Sequence, residues 1–262
     1  MREITIPKSV TKIGCYCFFN CCHLKSVRFE KDSNLDEIEE CAFLATKIES
    51  ISIPKSVKKI GNYCFADCHS LKSVDFDPQS ELVVIGHNCF KNTQIETFQL
   101  PQKIQEFDFS FSKATSISFP DSSSFLSVSN LQYSMIKEFS IPSCVDTICA
   151  GAFCNCINLT DVRIIDLKNS KLETISENAF LNCENLTTFE LPEKVKYFGL
   201  CSFKNCTKHA AKIKLINDNK ITVCKSAFEH SGIVSFESKS KSINVNDFAF
   251  NRCHNLVNFS AD

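Results

Sequence analysis

The sequence predicts a β-rich α/β repeat fold, a right-handed solenoid of about eleven coils whose strands stack into a curved parallel sheet. Three observations carry that expectation. A frame built on phenylalanine recurs at near-constant spacing. The segment after each frame alternates apolar and polar residues. The composition is also lopsided, with 24 Phe against 4 Tyr and no Trp, 17 Cys and only 6 Gly. A residue used so heavily, to the exclusion of its chemical relatives, marks a fixed structural position.

In five copies of the frame an apolar residue precedes Phe by five, Cys follows it by three and Leu by six. They run Ile13, Phe18, Cys21, Leu24; Ile60, Phe65, Cys68, Leu71; Ile148, Phe153, Cys156, Leu159; Ile175, Phe180, Cys183, Leu186; and Val245, Phe250, Cys253, Leu256. A shorter variant at Phe43, Phe90 and Phe228 carries Thr46, Thr93 or Ser231 in the Cys place. Its next apolar residue (Ile48, Ile95, Ile233) arrives one position early, so both versions read as one turn with a small side chain tucked beneath it. Pro7, Pro54, Pro101, Pro142 and Pro192 close alternate units. With two degenerate copies, units of roughly 24 residues use up the chain. The frame breaks down to Phe107-Asp108-Phe109-Ser110-Phe111 between about Lys103 and Ser140. The domain expectation is a single solenoid over residues 1–262 with irregular coils around 103–140.

Each coil divides into parts with a physical reason. Val10–Gly14 can form a short second strand, and Cys17–Cys21 then turns back as a brief 3₁₀ or helical turn. Leu24–Phe29 alternates so that Val27 and Phe29 share one face and Ser26 and Arg28 the other, the pattern of a half-buried strand. Strands one repeat apart are reached by the same excursion, so they must be parallel. The residue before Phe is small throughout (Cys17, Ala42, Cys64, Cys89, Ala152, Ala179, Ser202, Ala227, Ala249), as a stacked interior requires. Each ring joins a ladder worth about 1.5–3 kcal/mol of burial apiece. Nine of the 17 cysteines flank Phe at the small positions, where Cys serves as a compact buried hydrophobe. Parallel stacking aims neighbouring Cβ atoms the same way and disfavours disulfides.

The run Leu-xx-Val-x-Ile-Pro-xx-Val-xx-Ile-Gly-xx-Ala/Cys-Phe-xx-Cys resembles the BspA-like class of leucine-rich repeats over essentially the whole chain. The resemblance implies a leucine-rich-repeat solenoid. It also implies a surface antigen or adhesion protein that binds host or neighbouring-cell proteins.

Net charge is −1, from 29 Lys and Arg against 30 Asp and Glu, which argues against a nucleic-acid partner. No apolar run of 18 residues is present to span a membrane. No phosphate loop, dinucleotide fingerprint, HExxH or GxSxG occurs, so no catalytic residue, metal or cofactor is expected. His23, His69 and His254 recur with the frame and read as surface turn residues. Asn158, Asn185, Asn205 and Asn258 head Asn-x-Ser/Thr sequons that arise by repetition.

The expected function is therefore a noncatalytic protein-binding scaffold using the outward stripe of the sheet. The stripe is a hydroxyl ladder in the first half and of mixed charge in the second. Asp161, Arg163, Glu190, Lys212 and Lys214 form its polar hot region. The opening residues lack an apolar signal region and the thiols read as reduced, which points to a cytoplasmic location, with the cell surface as the alternative. Terminal coils without caps predict end-to-end self-association through an open strand.

Overall fold

The computed structural model describes residues 1–119, 127–216 and 220–261. The chain divides into two compact units, Met1–Ser124 and Phe125–Asp262, and the boundary falls inside the stretch where the frame degrades.

Unit 1 holds β1 (Glu3–Ile6), β2 (Lys12–Ile13), β3 (Ser26–Phe29), β4 (Glu37–Ile38), β5 (Ser50–Ile53), β6 (Lys59–Ile60), β7 (Ser73–Phe76), β8 (Val84–Ile85), β9 (Thr97–Gln99) and β10 (Ser116–Ser118). One sheet runs β1-β3-β5-β7, a second β2-β4-β6-β8, and β9 pairs with β10. Unit 2 holds β11 (Ser127–Val128), β12 (Glu138–Ile141), β13 (Thr147–Ile148), β14 (Asp161–Ile164), β15 (Thr174–Ile175), β16 (Thr188–Phe189), β17 (Tyr197–Phe198), β18 (Lys212–Leu215), β19 (Ile221–Val223), β20 (Ser235–Ser238), β21 (Ile243–Val245) and β22 (Asn258–Ala261). Here β12, β14 and β16 are neighbours, as are β18, β20 and β22, and the second strands run β11-β13-β15-β17-β19-β21. The pairings within each unit are parallel. Each unit is thus a β-solenoid. Twelve strands of the Ser26–Phe29 kind, six per unit among the described residues, agree with about eleven coils.

The phenylalanines stack as the spacing predicts. In unit 1, Phe18, Phe43, Phe65, Phe90 and Phe109 follow one another with centroids 5.1–5.8 Å apart and ring planes within 11°. In unit 2, Phe153, Phe180, Phe203, Phe228 and Phe250 do the same at 5.0–5.3 Å. Strand rings such as Phe98 and Phe189 pack tilted against the files. The two degenerate copies become legible in space. Phe109 holds a ring place with Ser112 buried three residues on, while Leu131 stands where a ring would be, its N–H bonded to Ala152 O at 2.9 Å.

The turn around each ring is where expectation and structure part. Cys17–Cys21 and its equivalents are not 3₁₀ or helical. The one 3₁₀ helix among the described residues is η1 (Leu167–Asn169). In most coils the residues two before and two after Phe both adopt positive φ, as Tyr16 (58°) and Asn20 (53°) do around Phe18, and Asn178 (55°) and Asn182 (61°) around Phe180. Left-handed residues cannot extend a right-handed helix. They instead make successive turns whose third residue has positive φ, closed by Cys17 N–H to Gly14 O (3.2 Å) and Cys21 N–H to Phe18 O (3.1 Å). Asparagine tolerates that conformation, which accounts for Asn20, Asn92, Asn155, Asn182 and Asn205 two places after the ring. The turns then bond from coil to coil: Phe43 N–H reaches Cys64 O at 2.9 Å, and Phe180 N–H reaches Ser202 O at 2.8 Å.

The cysteine three places after Phe is more than a space filler. The thiols of Cys68, Cys156, Cys206 and Cys253 each donate to the carbonyl of the ring-position residue one coil earlier, at 2.8–3.1 Å. In the short coils a hydroxyl takes that place, and Thr46 and Ser134 meet the thiols of Cys68 and Cys156. No disulfide joins any of the seventeen cysteines among the described residues. The small residues before Phe are buried except Cys17, which is exposed.

Candidate interaction surface

The outward stripe is built by strand alternation. In β14, Val162 is buried while Arg163 is exposed, and Asp161 and Arg163 stand in register with Glu138 and Ser140 of β12. Asp161 and Arg163 form an ion pair along their own strand. The other oxygen of Asp161, Oδ1, is buried and accepts no hydrogen bond among the described residues. Such an orphan acceptor is uncommon in a folded protein.

The remaining members of the predicted region are spread out. Glu190 is exposed but lies one residue past β16, which ends at Phe189. Lys212 and Lys214 belong to β18, in a different sheet from β14, and face Ser235 and Glu237 of β20. The structure thus brings Asp161 and Arg163 together, sets the two lysines side by side on another sheet, and leaves Glu190 outside both.

The hydroxyl ladder of unit 1 is in register where the strands pair: Ser26 with Ser50, Ser50 with Ser73, and Thr97 with Ser116. One irregularity there has no residue-type signature and was missed in the sequence. The β3–β5 register is a single pair, and beside it opens a cleft of about 780 Å3. Register depends on how chains diverge in space, which alternation alone does not encode.

His23, His69 and His254 are exposed, as expected of turn residues. His69 Nδ1 also meets Asn92 O at 3.1 Å, and the other three histidines each have a structural partner. His87 Nδ1 meets Asp108 Oδ2 at 2.9 Å, and His230 Nδ1 meets Asn205 Oδ1 at 3.2 Å. His209 stands in the frame's Leu place, stacked on Phe203, and burial lowers its pKa to about 4. Among the described residues, no group of three or more His, Cys, Asp and Glu side chains is placed to hold a metal ion, and no helix is long and apolar enough to cross a membrane. Of the sequons, Asn205 Nδ2 is already given to Asn182 Oδ1 at 2.7 Å and Asn185 Nδ2 to Ile157 O at 2.7 Å.

The sequence pattern described as BspA type leucine rich repeat region matches in six copies, over residues 1–110, 83–210 and 173–262. No curated protein sequence matches the chain. Among solved structures, a leucine-rich repeat protein from Bacteroides ovatus is similar with TM-score 0.63 and 22% identity, over 98% of this chain and 78% of that one. The pneumococcal vaccine antigen PcpA is similar with TM-score 0.58 and 20% identity, over 99% of this chain and 74% of that one. A leucine rich cell surface protein from Faecalibacterium prausnitzii gives TM-score 0.50 and 19% identity, over 100% of this chain and 79% of that one.

Proposed function

Because the chain belongs to the BspA type leucine rich repeat family, we propose that it is a noncatalytic protein-binding scaffold that presents the outward stripe of its parallel sheets to a partner protein. The observation that carries this reading is the stripe itself. Its side chains stand about 4.8 Å apart from strand to strand, and the exposed ones among them, such as Arg163, Lys212 and Lys214, are free to serve recognition. Within the stripe we assign the contact to Asp161, Arg163, Glu190, Lys212 and Lys214. The exposed side chains of Arg163, Glu190, Lys212 and Lys214 support that choice, as charged groups that a partner can reach. Near-zero net charge favours protein over nucleic acid.

Affinity capture with wild type and with Asp161→Lys plus Lys212→Glu tests the assignment. Loss of the captured partner is expected, and an unchanged partner set rejects the assigned face.

A second reading places the protein on the cell surface as an adhesin or antigen, in preference to the cytoplasm. It is favoured by the similar fold of a cell surface protein and of a vaccine antigen. The buried thiols do not oppose it. Burial pushes the Cys64, Cys89, Cys183 and Cys206 thiols up, which makes them slow to react in an oxidising medium. Labelling intact cells with an impermeant amine reagent separates the two locations: a labelled pool supports the surface, and label found only after lysis supports the cytoplasm.

A further inference from the structure

In unit 2 the wall made by β12, β14, β16, β18, β20 and β22 is interrupted. β14 pairs with β16 and β18 with β20, but among the described residues no register pair joins β16 to β18. The rest of the two coils runs on without a break. β17 pairs with β19 through Tyr197 with Thr222 and Phe198 with Val223, and in the ring turn Phe180 N–H reaches Ser202 O at 2.8 Å. The interruption has a local cause. The buried strand residues Val162 and Phe189 follow Leu159 and Leu186 by three positions, whereas Ile213 follows His209, which holds the same place, by four. The extra residue throws β18 out of step with β16.

His209 bridges the gap. Its Nε2 lies 3.3 Å from Phe189 O of β16, which assigns the proton of the neutral ring to that nitrogen and leaves Nδ1 buried with no hydrogen-bond partner. Phe203 stacks on the ring at 5.4 Å, and the next coil closes over its backbone so tightly that a Cβ on Gly232 would stand 3.1 Å from His209 O. The ionisable groups around it are committed elsewhere. On its own turn the Cys206 thiol donates to Phe180 O and the Lys208 ammonium to Asn185 Oδ1. Glu190 beside β16 and Lys212 and Lys214 of β18 are exposed, and His230 of the next coil is turned to Asn205 Oδ1. No carboxylate therefore offsets the burial that opposes protonation of this ring; the contact with Phe189 O alone favours it.

We propose that His209 is an acid-operated latch on this wall: a second proton on its ring parts β16 from β18, while the second-strand sheet and the ring turns hold the two coils together. The new N–H at Nδ1 has no acceptor and the positive charge has no counter-ion in the packed seam, so the charged ring is stable only in water. Reaching water requires the turn at His209 to swing out. That movement breaks the contact with Phe189 O and, further along the same wall, the bond from Ile216 N–H to Glu193 O at 3.2 Å. Because β16 and β18 share no register pair, the wall yields here at less cost than between fully paired strands such as β18 and β20. The opened state bares the facing edges of both strands, and an open strand edge is a template for pairing with another chain.

Amide exchange of the whole protein at pH 7 and pH 4.5, read by mass spectrometry and corrected for the chemical effect of pH on exchange, tests the latch. In wild type, residues 189–191 and 213–216 are expected to exchange about tenfold faster or more in acid. Tyr197–Phe198 and Ile221–Val223 are expected to change by less than about twofold. His209→Leu installs the residue found at this place in other coils, and His209→Gln keeps a donor that takes up no proton. Each is expected to abolish the acid response at 189–191 and 213–216. Should a variant fail to fold, the wild-type pattern still decides. No acceleration at 189–191 and 213–216 in wild type overturns the proposal. So does equal acceleration in the second strands, which would mean that the whole unit unfolds, or the same acceleration in the two variants.

Discussion

The thiol of Cys183 donates to the carbonyl oxygen of Phe153, one coil earlier, at 3.1 Å. That oxygen also accepts the Cys156 N–H at 3.0 Å, so the thiol supplies the second of its two bonds. Removing it with Cys183→Ala is expected to cost about 1 kcal/mol, and Cys183→Ser to cost less because a donor remains. Urea unfolding curves of the three proteins check the order. Alkylation followed by mass spectrometry gives a companion result. Cys15, Cys17 and Cys22 are exposed and should react first, whereas Cys183, its pKa pushed well up by burial, should react only on unfolding.

Glycine at the end of the second strand is required in some coils and optional in others. A Cβ on Gly61 would sit 2.5 Å from Glu40 N and 2.6 Å from Glu39 C, both backbone atoms of the neighbouring coil. On Gly14 the nearest atom would be the flexible Glu39 Oε2 at 3.6 Å. Gly61→Ala should therefore destabilise by about 1–3 kcal/mol through overpacking, and Gly14→Ala should be near neutral. Thermal melts of the pair decide this.

Asparagine side chains run along unit 2 as a chain of amides. Asn182 Nδ2 donates to Asn155 Oδ1 at 2.8 Å and Asn205 Nδ2 donates to Asn182 Oδ1 at 2.7 Å. Asn182 also has φ of 61°. Asn182→Ala should lose both the bonds and the conformational fit, about 2–3 kcal/mol in all. Asn182→Gly keeps the backbone and should recover about 1 kcal/mol of that loss. Equal losses in the two variants would show that only the amide bonds matter.

His209 makes stability depend on acidity. Its ring is buried and its pKa is lowered from 6.5 to about 4, so between those values the unfolded chain binds the extra proton. Stability present above pH 6.5 should fall as pH drops towards 4, by roughly 3 kcal/mol, and level off below. His209→Leu, which installs the residue found in other coils, should flatten that slope. Urea midpoints at pH 7 and pH 4.5 measure it; an equal drop in both proteins would assign the slope to other groups.

The coil was legible because its strongest signals are steric and local in sequence. Phe at a fixed beat, a small residue before it and alternation after Leu24 each report one packing requirement, and Phe65 with Cys64 and Leu71 lies where that reading puts it. The turn was misread as helical because Tyr16 and Cys41 give no warning that they will take positive φ. The donor role of Cys68 was hidden because a thiol in a small buried place looks like a hydrophobe. For the interaction surface, alternation singled out exposed residues such as Arg163 and Lys212, though it also put the buried Ser235 on the stripe, and it did not say which sheet each residue joins. Lys212 and Asp161 therefore looked nearer in the repeat frame than the strand pairing makes them.

The number of residues from one ring to the next ranges from 19 (Phe90 to Phe109) to 27 (Phe153 to Phe180), yet the rings stay 5.0–5.8 Å apart. The longest of these intervals carries η1, lined by no fully buried residue. Contour length is thus decoupled from axial pitch. A foreign epitope grafted at Lys168 would be displayed as an outlying bulge, and gene rearrangements that add or drop whole turns would change the molecule's reach without altering the diameter of its wall.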